Sequence, residues 1–321
     1  MLPPEDLYTT VDDGSDRVGA EAGGAGGAAD GPGAGLVLVH ALAGFVDAGS
    51  ASSMAARHLL AELESRELAR FDVDQLHDYR SRRPRMGFSG DRFESVDLPE
   101  LVLHEVRDAA GRAFLLLVGP EPDVQWQRFA AAVTQLVRRY GVDLAVSLQG
   151  VPWAAPHTRP VALTAHASDR SLISGRPRWF GSLEVPGHAG AFLELHLDRE
   201  GVPSMGFSVH VPHYLAGAEF PPAAVALLQA VEESTGLVLP TQALADAARS
   251  VLVEVDAQVA ASDETRTAVE SLERQYDAVT AGRGLLAPGQ DGAVPLLPDD
   301  EMADGDELAA ELERYLRQQG G

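Results

Sequence analysis

The sequence predicts a three-layer α/β/α domain with a mostly parallel, mixed sheet, followed by a helical C-terminal segment. Short apolar runs typical of buried strands alternate with amphipathic helical stretches, which is the pattern of layered α/β proteins. Residues 100–119 contain two strands around a turn at 108–112, so an antiparallel pair joins the sheet. With 321 residues, of which 45% are hydrophobic, the chain is long enough for one large domain of this kind.

The predicted elements follow one another in an alternating order. An apolar run at residues 36–39 indicates a buried strand, and a helix follows from Asp47 because apolar residues then recur at helical spacing. Gly141 ends the helix that starts at Asp123, and Gly236 ends the helix that a proline pair opens. The remaining strands are predicted at residues 71–74, 100–106, 114–119, 144–150, 161–166 and 205–211, and the last helices at about 241–260 and 263–280.

Composition divides the chain into four segments. Residues 1–34 are glycine-rich and expected to be flexible, with Leu7 and Tyr8 as a small anchor. Residues 35–240 form the predicted α/β/α domain, and residues 241–280 form a helical extension packed on it. Residues 281–321 are expected to be an acidic, largely disordered tail, in which a transient amphipathic helix is compatible with residues 304–319.

Several function classes are excluded by composition. The chain has no cysteine, which excludes thiol chemistry and disulfides, and no lysine, which excludes Schiff-base catalysis and a P-loop. The net charge of −23 argues against nucleic acid and against anionic membranes as partners. No apolar run has the length of a transmembrane helix and no signal pattern opens the chain, so a cytoplasmic protein is expected. No cofactor is expected.

The first candidate site lies where the strand at residues 36–39 leads into a helix that begins with small residues. Asp47 is placed to cap this helix, and Gly49 belongs to a run of small residues that lets another backbone approach closely. Gly44 and Phe45 complete the turn between strand and helix. Such a joint builds a ligand or partner crevice in many α/β proteins. The plain alternative is a tight turn with a capped helix.

The second candidate site follows the strand that ends at Gly150. Prolines restrain the loop at residues 151–160, so His157 and Arg159 point in defined directions and can hold an anionic group. The alternative is an ordered loop whose arginine pairs with a nearby carboxylate. His213 and Tyr214 are expected to pack at the end of a later strand.

Motif searches predict no catalytic and no metal-binding residues. His210 and His213 are three apart in a strand, so they point to opposite faces and do not share a metal. The two Gly-Phe-Ser segments lack the second glycine of a nucleophile elbow. The arginine-rich segment at residues 80–85 is interpreted as a solvated loop that faces an acidic surface of the same or a neighbouring subunit.

Four motifs together resemble a known family. They are His-Ala-Leu-Ala-Gly-Phe-Val-Asp-Ala-Gly at residues 40–49, Pro-His-Thr-Arg-Pro at 156–160, Val-Pro-His-Tyr at 211–214 and the helix around 269–277. In this order they resemble the second proteasome assembly chaperone family, in its actinobacterial branch. The resemblance implies a phosphorylase/hydrolase-like α/β/α fold and a homo-oligomer, with a trimer among the assemblies it suggests.

The resemblance also suggests a function. Eukaryotic relatives assist assembly of the proteasome α-ring, and archaeal relatives bind proteasome particles, so proteasome subunits are the suggested partners. Relatives that dock on the proteasome end in a hydrophobic-Tyr-X motif, which residues 317–321 lack. We therefore expect a non-catalytic, oligomeric protein-interaction or assembly-chaperone-like protein. The alternative is a small-molecule enzyme, hydrolase- or ligase-like, that uses the crevice at the carboxyl edge of the sheet.

Overall fold

A computed structural model describes residues 2–11, 18, 35–177, 182 and 184–284, and these form a mixed eight-stranded sheet with helices on both sides. The predicted tail falls outside the described residues from position 285 onward. In chain order the elements are β1 (Tyr8–Thr10), β2 (Leu36–Ala43), α1 (Ala51–Glu62), β3 (Ser65–Phe71), β4 (Arg85–Ser89), β5 (Arg92–Asp97), β6 (Val102–Arg107), β7 (Ala113–Pro120), α2 (Trp126–Tyr140), β8 (Val142–Trp153), β9 (Leu163–Ala167), α3 (Ala189–Arg199), β10 (Ser204–Pro212), α4 (Pro221–Thr235), α5 (Gln242–Ala260) and α6 (Asp263–Gly284).

The strand order in the sheet is β1-β3-β6-β7-β2-β8-β10-β9. Its centre is parallel, since β2 pairs with β7 and β8, and β8 pairs with β10. The other four of the seven pairings are antiparallel, and only β1, β6 and β9 run opposite to the other five strands, so the predicted mostly parallel, mixed sheet is confirmed. The short connection between β6 and β7 permits a hairpin but not a parallel crossover, which is why this pair is antiparallel.

Alternation along the strands separates two apolar layers. Val37, Val39 and Ala41 of β2 face the layer built by α1 and α4, whereas Leu38 and Leu42 face α2 and α3. This is the two-residue period of a strand that is buried on both faces. Both helices of the predicted extension pack on the first layer through apolar residues, namely Leu244 and Val255 of α5 and Val269 of α6. The segment boundaries drawn from composition stay a prediction.

Part of the glycine-rich segment belongs to the sheet. Leu7 is fully buried, and β1 pairs antiparallel with β3 at the edge, with Tyr8 opposite Phe71. The anchor expected at Leu7 and Tyr8 is therefore present, and it extends the sheet by one strand. Residues 12–17 and 19–34 lie outside the described residues.

Other elements differ from the predictions. The strand expected at residues 71–74 is wrong, because β3 ends at Phe71 and a 3₁₀ turn covers Val73–Gln75. The Asp72 carboxylate accepts from the Asp74 amide at 3.1 Å, and this local hydrogen bond favours a turn. The sequence reading also missed α3 and the β4–β5 hairpin. The start of α3 contains Gly190, which weakens the helical signal.

Candidate functional site

Asp47 caps α1, as predicted. Its Oδ1 accepts from the Ser52 amide at 2.8 Å, the Ser52 hydroxyl at 2.7 Å and the Ser53 amide at 3.3 Å. A 3₁₀ turn at Ala48–Ser50 separates Asp47 from the first residue of the α-helix. The carboxylate therefore reaches over this turn to satisfy free amides of the helix start.

Gly49 is the place where another backbone approaches, as the run of small residues predicted. It is buried, it has a φ of 65°, and its amide donates to the Ala216 carbonyl at 2.8 Å. A Cβ at this position would lie 3.0 Å from the Phe220 Cβ and 3.1 Å from a Val211 methyl. The joint between β2 and α1 thus packs directly on the chain that follows β10.

Gly44 and Phe45 contact a glutamate that sequence reasoning missed. Glu121 Oε2 accepts from the Phe45 amide at 2.9 Å, and Glu121 Oε1 accepts from the Ala189 amide at 2.7 Å, at the start of α3. A Cβ on Gly44 would lie 2.2 Å from Glu121 Oε2, so only glycine leaves room for the carboxylate. The Phe45 side chain is 65% exposed. Glu121 thus joins the β2 turn to α3.

His157 links the loop after β8 to Tyr214 and to α5. Its amide donates to the Tyr214 hydroxyl at 2.8 Å, its Nδ1 lies 2.6 Å from the same oxygen, and its Nε2 lies 3.1 Å from Asp256 Oδ1. Asp256 has no proton to give as a carboxylate, so the arrangement fits a proton on Nε2 and a Tyr214 hydroxyl that donates to Nδ1. Burial raises the pKa of Tyr214, which keeps this hydroxyl protonated. His213 packs edge-on against Tyr214, as expected at a strand end.

Arg159 joins the same loop to α6. Its guanidinium donates to both carboxylate oxygens of Asp277, at 2.9 and 2.8 Å, and to Glu273 at 3.2 Å. Hydrogen bonding to Asp277 raises the pKa of Arg159, and the same bond lowers the pKa of Asp277. The Tyr276 hydroxyl adds a hydrogen bond to the Pro160 carbonyl at 3.2 Å.

The predicted site residues therefore lie at one edge of the sheet but make two sets of contacts. Asp47 and Gly49 fix the joint between β2 and α1, whereas His157 and Arg159 hold the helical extension. The alternative interpretation of Arg159, pairing with a nearby carboxylate, agrees with these contacts. Both side chains that were expected to hold an anion are engaged by carboxylates of α5 and α6.

A buried polar cluster lies on the other face of the sheet, beneath α3, and the sequence analysis missed it. The Ser147 hydroxyl donates to Glu194 Oε2 at 3.1 Å, and His166 Nε2 lies 3.0 Å from the same oxygen. His40 stands opposite Ser147 on the neighbouring strand, is 2% exposed, and has a buried Nε2 without a hydrogen-bond partner among the described residues. The only signal in the sequence is the alternation of polar residues within otherwise apolar strands.

Gly206 allows this cluster to form. It lies between Ser147 and His166 in the sheet, and a Cβ there would be 2.0 Å from Ser147 Oγ and 2.4 Å from His166 Nε2. Burial alone would raise the pKa of Glu194, but hydrogen bonds and the charge of His166 outweigh it and leave that pKa below its usual value. Burial lowers the pKa of His40 to about 4, so this imidazole is neutral near pH 7.

The cluster lacks the geometry of a hydrolase triad. In a triad the histidine accepts from serine through one ring nitrogen and donates to the carboxylate through the other. Here the same nitrogen, His166 Nε2, lies nearest both to Glu194 and, at 3.5 Å, to Ser147 Oγ. Ser147 is 1% exposed, and the neighbouring cavity of about 10 Å³ is close to the lower limit for a single water.

Among the described residues, no group of three or more His, Asp or Glu side chains is arranged to hold a metal ion. No helix in the described ranges is long and apolar enough to cross a membrane.

Comparison with known proteins identifies relatives of this fold. Rv2714, a Mycobacterium tuberculosis protein of unknown function, is 48% identical over 77% of this chain and 86% of its own, with a TM-score of 0.75. A Corynebacterium glutamicum protein of unknown function is 36% identical over 85% of this chain and 98% of its own, with a TM-score of 0.76. The M. tuberculosis proteasome-assembly chaperone homologue Rv2125 is 26% identical over 73% of this chain and 100% of its own, with a TM-score of 0.67.

No curated protein matches the chain. The model of the PAC2 family matches residues 41–259, which contain the joint after β2, the loop at 151–160 and most of α5. This span covers more than half of the sequence, and it includes two of the four motifs that carried the resemblance and all but the first residue of a third. The chain therefore belongs to the PAC2 family.

Proposed function

We propose that this protein acts by binding other proteins, as a homo-oligomeric, assembly-chaperone-like factor of the cytoplasm with proteasome subunits as partners. The observation that carries the proposal is the engagement of His157 and Arg159 by Asp256, Glu273 and Asp277. The polar side chains best suited to bind a small ligand at the sheet edge are used to hold the chain's own helices. Such contacts build a rigid interaction scaffold.

The proteasome link rests on similarity. The relative described as a proteasome-assembly chaperone homologue is 26% identical to this chain, and the match spans the full length of that relative. This similarity supports the same class of partner. The two relatives with higher identity are proteins of unknown function, so they do not indicate a partner. Because assembly chaperones work through protein contacts, the proposal requires a surface suited to proteins, and the structure offers exposed apolar side chains at several places.

Reconstitution tests the proposal directly. The α and β subunits of the cell's own 20S proteasome are co-expressed with and without this protein, and particles are separated by size over time. We expect the protein to elute with an assembly intermediate and to increase the rate at which full particles form. Identical time courses, with no co-elution, would refute the proteasome link. Light scattering should give a multiple of 34.0 kDa, and a monomer would refute the homo-oligomer.

The enzyme alternative has its own test. The protein is incubated with ester, amide, phosphate and nucleotide substrates, and we expect no turnover above background. Turnover that is lost in Ser147→Ala but kept in the matched control Ser204→Ala would overturn the binding proposal. Ser204 serves as control because its buried hydroxyl donates to the Val202 carbonyl at 3.1 Å, outside the Ser147–Glu194–His166 contacts.

A further inference from the structure

The β4–β5 hairpin carries an apolar face that nothing in the described chain covers. Every residue of both strands is exposed. Met86 pairs with Val96 and Phe88 with Phe93, so these four side chains share one face, and the two phenylalanine rings meet edge to face at 5.1 Å. Their exposed fractions lie between 46% and 66%.

An isolated hairpin of this kind requires a covering partner. Two strands alone are marginally stable in water, because they bury too little apolar surface. The four side chains expose roughly 400 Å², which is the size of the largest apolar patch on a typical monomer, and such patches are often functional. Leu98 extends this surface just beyond the strand and is 52% exposed. The hairpin face is therefore best explained as one half of a contact.

The base of the hairpin is fixed to the domain and carries positive charge. Arg82 pairs with Asp123 at 2.7 Å and donates to the Glu121 carbonyl. The neighbouring guanidinium groups of Arg80 and Arg83 have no carboxylate partner among the described residues, and both arginines are exposed. Arg85 lies opposite Asp97, on the other face of the hairpin. The apolar face thus adjoins a basic rim on a chain whose net charge is −23.

The sequence of the C-terminal segment is complementary to this surface. Residues 299–313 contain eight carboxylates and no basic residue. Leu308, Leu312, Tyr315 and Leu316 recur at the spacing of one helical face over about 12 Å. An amphipathic helix with an acidic N-terminal half would match both the apolar face and the basic rim.

The segment is also long enough to cross the sheet edge from the loop after β8, which α6 contacts through Asp277, to the end of β3, from which the chain leads to the hairpin. The carboxyl ends of β3 and β8 lie at the same edge, because β3 runs in the same direction as β7, β2 and β8. Four strand spacings separate β3 from β8, or about 19 Å. A chain of 19 residues, the length of 285–303, has a root-mean-square span of about 24 Å.

We propose that residues 304–319 bind as an amphipathic helix to the apolar face of the β4–β5 hairpin of the same chain, with their carboxylates against the rim of Arg80 and Arg83. This contact buries the exposed phenylalanines and pairs the basic rim. It is independent of the proposed proteasome role, since it concerns the chain on its own.

Because the chain has no cysteine, spin labels attach only at cysteines that are introduced for the test. Ser95→Cys on the opposite face of the hairpin and Gln318→Cys in the tail receive spin labels in the full-length protein, and pulsed electron paramagnetic resonance measures the distance between them. We expect a narrow, short distance. Leu312→Asp should replace it with a broad, longer distribution. The matched control Ala310→Asp, on the opposite side of the helix, should preserve it.

Dilution identifies the occupant. With an excess of unlabelled protein, the short distance should persist because both labels are on one chain. A distance that disappears on dilution would show that the tail of a second copy occupies the face, and it would overturn the proposal. A distance distribution that is broad from the start, or that Leu312→Asp leaves unchanged, would overturn it as well. The tail substitutions leave the described domain intact, so misfolding does not obscure the result.

Discussion

Replacing Asp47 with alanine should cost more stability than the loss of a helix cap alone. A cap contributes about 1 kcal/mol. Here the same carboxylate oxygen also accepts from the Ser52 hydroxyl at 2.7 Å, and Ser52 is fully buried. Leaving a buried hydroxyl without its acceptor costs about 1–3 kcal/mol. The expected loss in the free energy of unfolding is therefore roughly 2–4 kcal/mol for Asp47→Ala.

Urea unfolding followed by circular dichroism at fixed protein concentration measures this loss, with an unchanged m-value as evidence that the fold is the same. The variant Ser52→Ala removes the hydroxyl, and the double variant closes a thermodynamic cycle. We expect Asp47→Ala to cost only about 1 kcal/mol in the Ser52→Ala background, which means coupling of at least about 1 kcal/mol. Additive effects, or a single-variant loss of 1 kcal/mol or less, would refute the reasoning.

Three further predictions follow from the site. Gly49→Ala should destabilise the protein by more than the roughly 1 kcal/mol that a positive φ alone costs, because the new Cβ would also meet Phe220 and Val211. The control in the same urea titration is Gly141→Ala, since Gly141 also has a positive φ but open space around its Cβ. His40 has a folded pKa of about 4, below its unfolded value, so its burial costs stability as pH falls from 6.5 to 4, by roughly 3 kcal/mol at pH 4. His40→Gln should flatten that part of the pH–stability curve, and an unchanged slope would contradict the assignment. Arg159→Ala should speed amide hydrogen exchange in α6, whereas Arg249→Ala, which breaks only an exposed pair within α5, should not.

Local patterns in the sequence were sufficient for most elements of the sheet and its helices. The apolar stripe of α2 and its end at Gly141 were predicted correctly, because helix period and glycine caps act over a few residues. Asp47 was identified as a cap for the same reason, since its partners lie five and six residues away. The strand predicted at residues 71–74 failed where a side chain of Asp72 offered the backbone a competing turn.

Composition and motifs, likewise, were enough to point to the family. The ordered series of short motifs spanning residues 40–277 placed the chain among proteasome assembly chaperone relatives, and the PAC2 match over residues 41–259 confirms that assignment. The absence of cysteine and lysine removed whole classes of chemistry without any structure. These conclusions depend on which residues are present and in what order, and both are properties of the linear chain.

The tertiary structure alone decided which side chains meet. Arg159 and Asp277 are 118 positions apart. Ser147 and His166 meet at Glu194 only because Gly206 leaves space on the strand between Ser147 and His166. The period of a strand or helix gives the face on which a residue lies, but it contains no information about the element that packs against that face. Strand order and helix docking set those partners, so the contacts of Arg159 with α6, the cluster beneath α3 and the uncovered face of the hairpin emerged only from the folded chain.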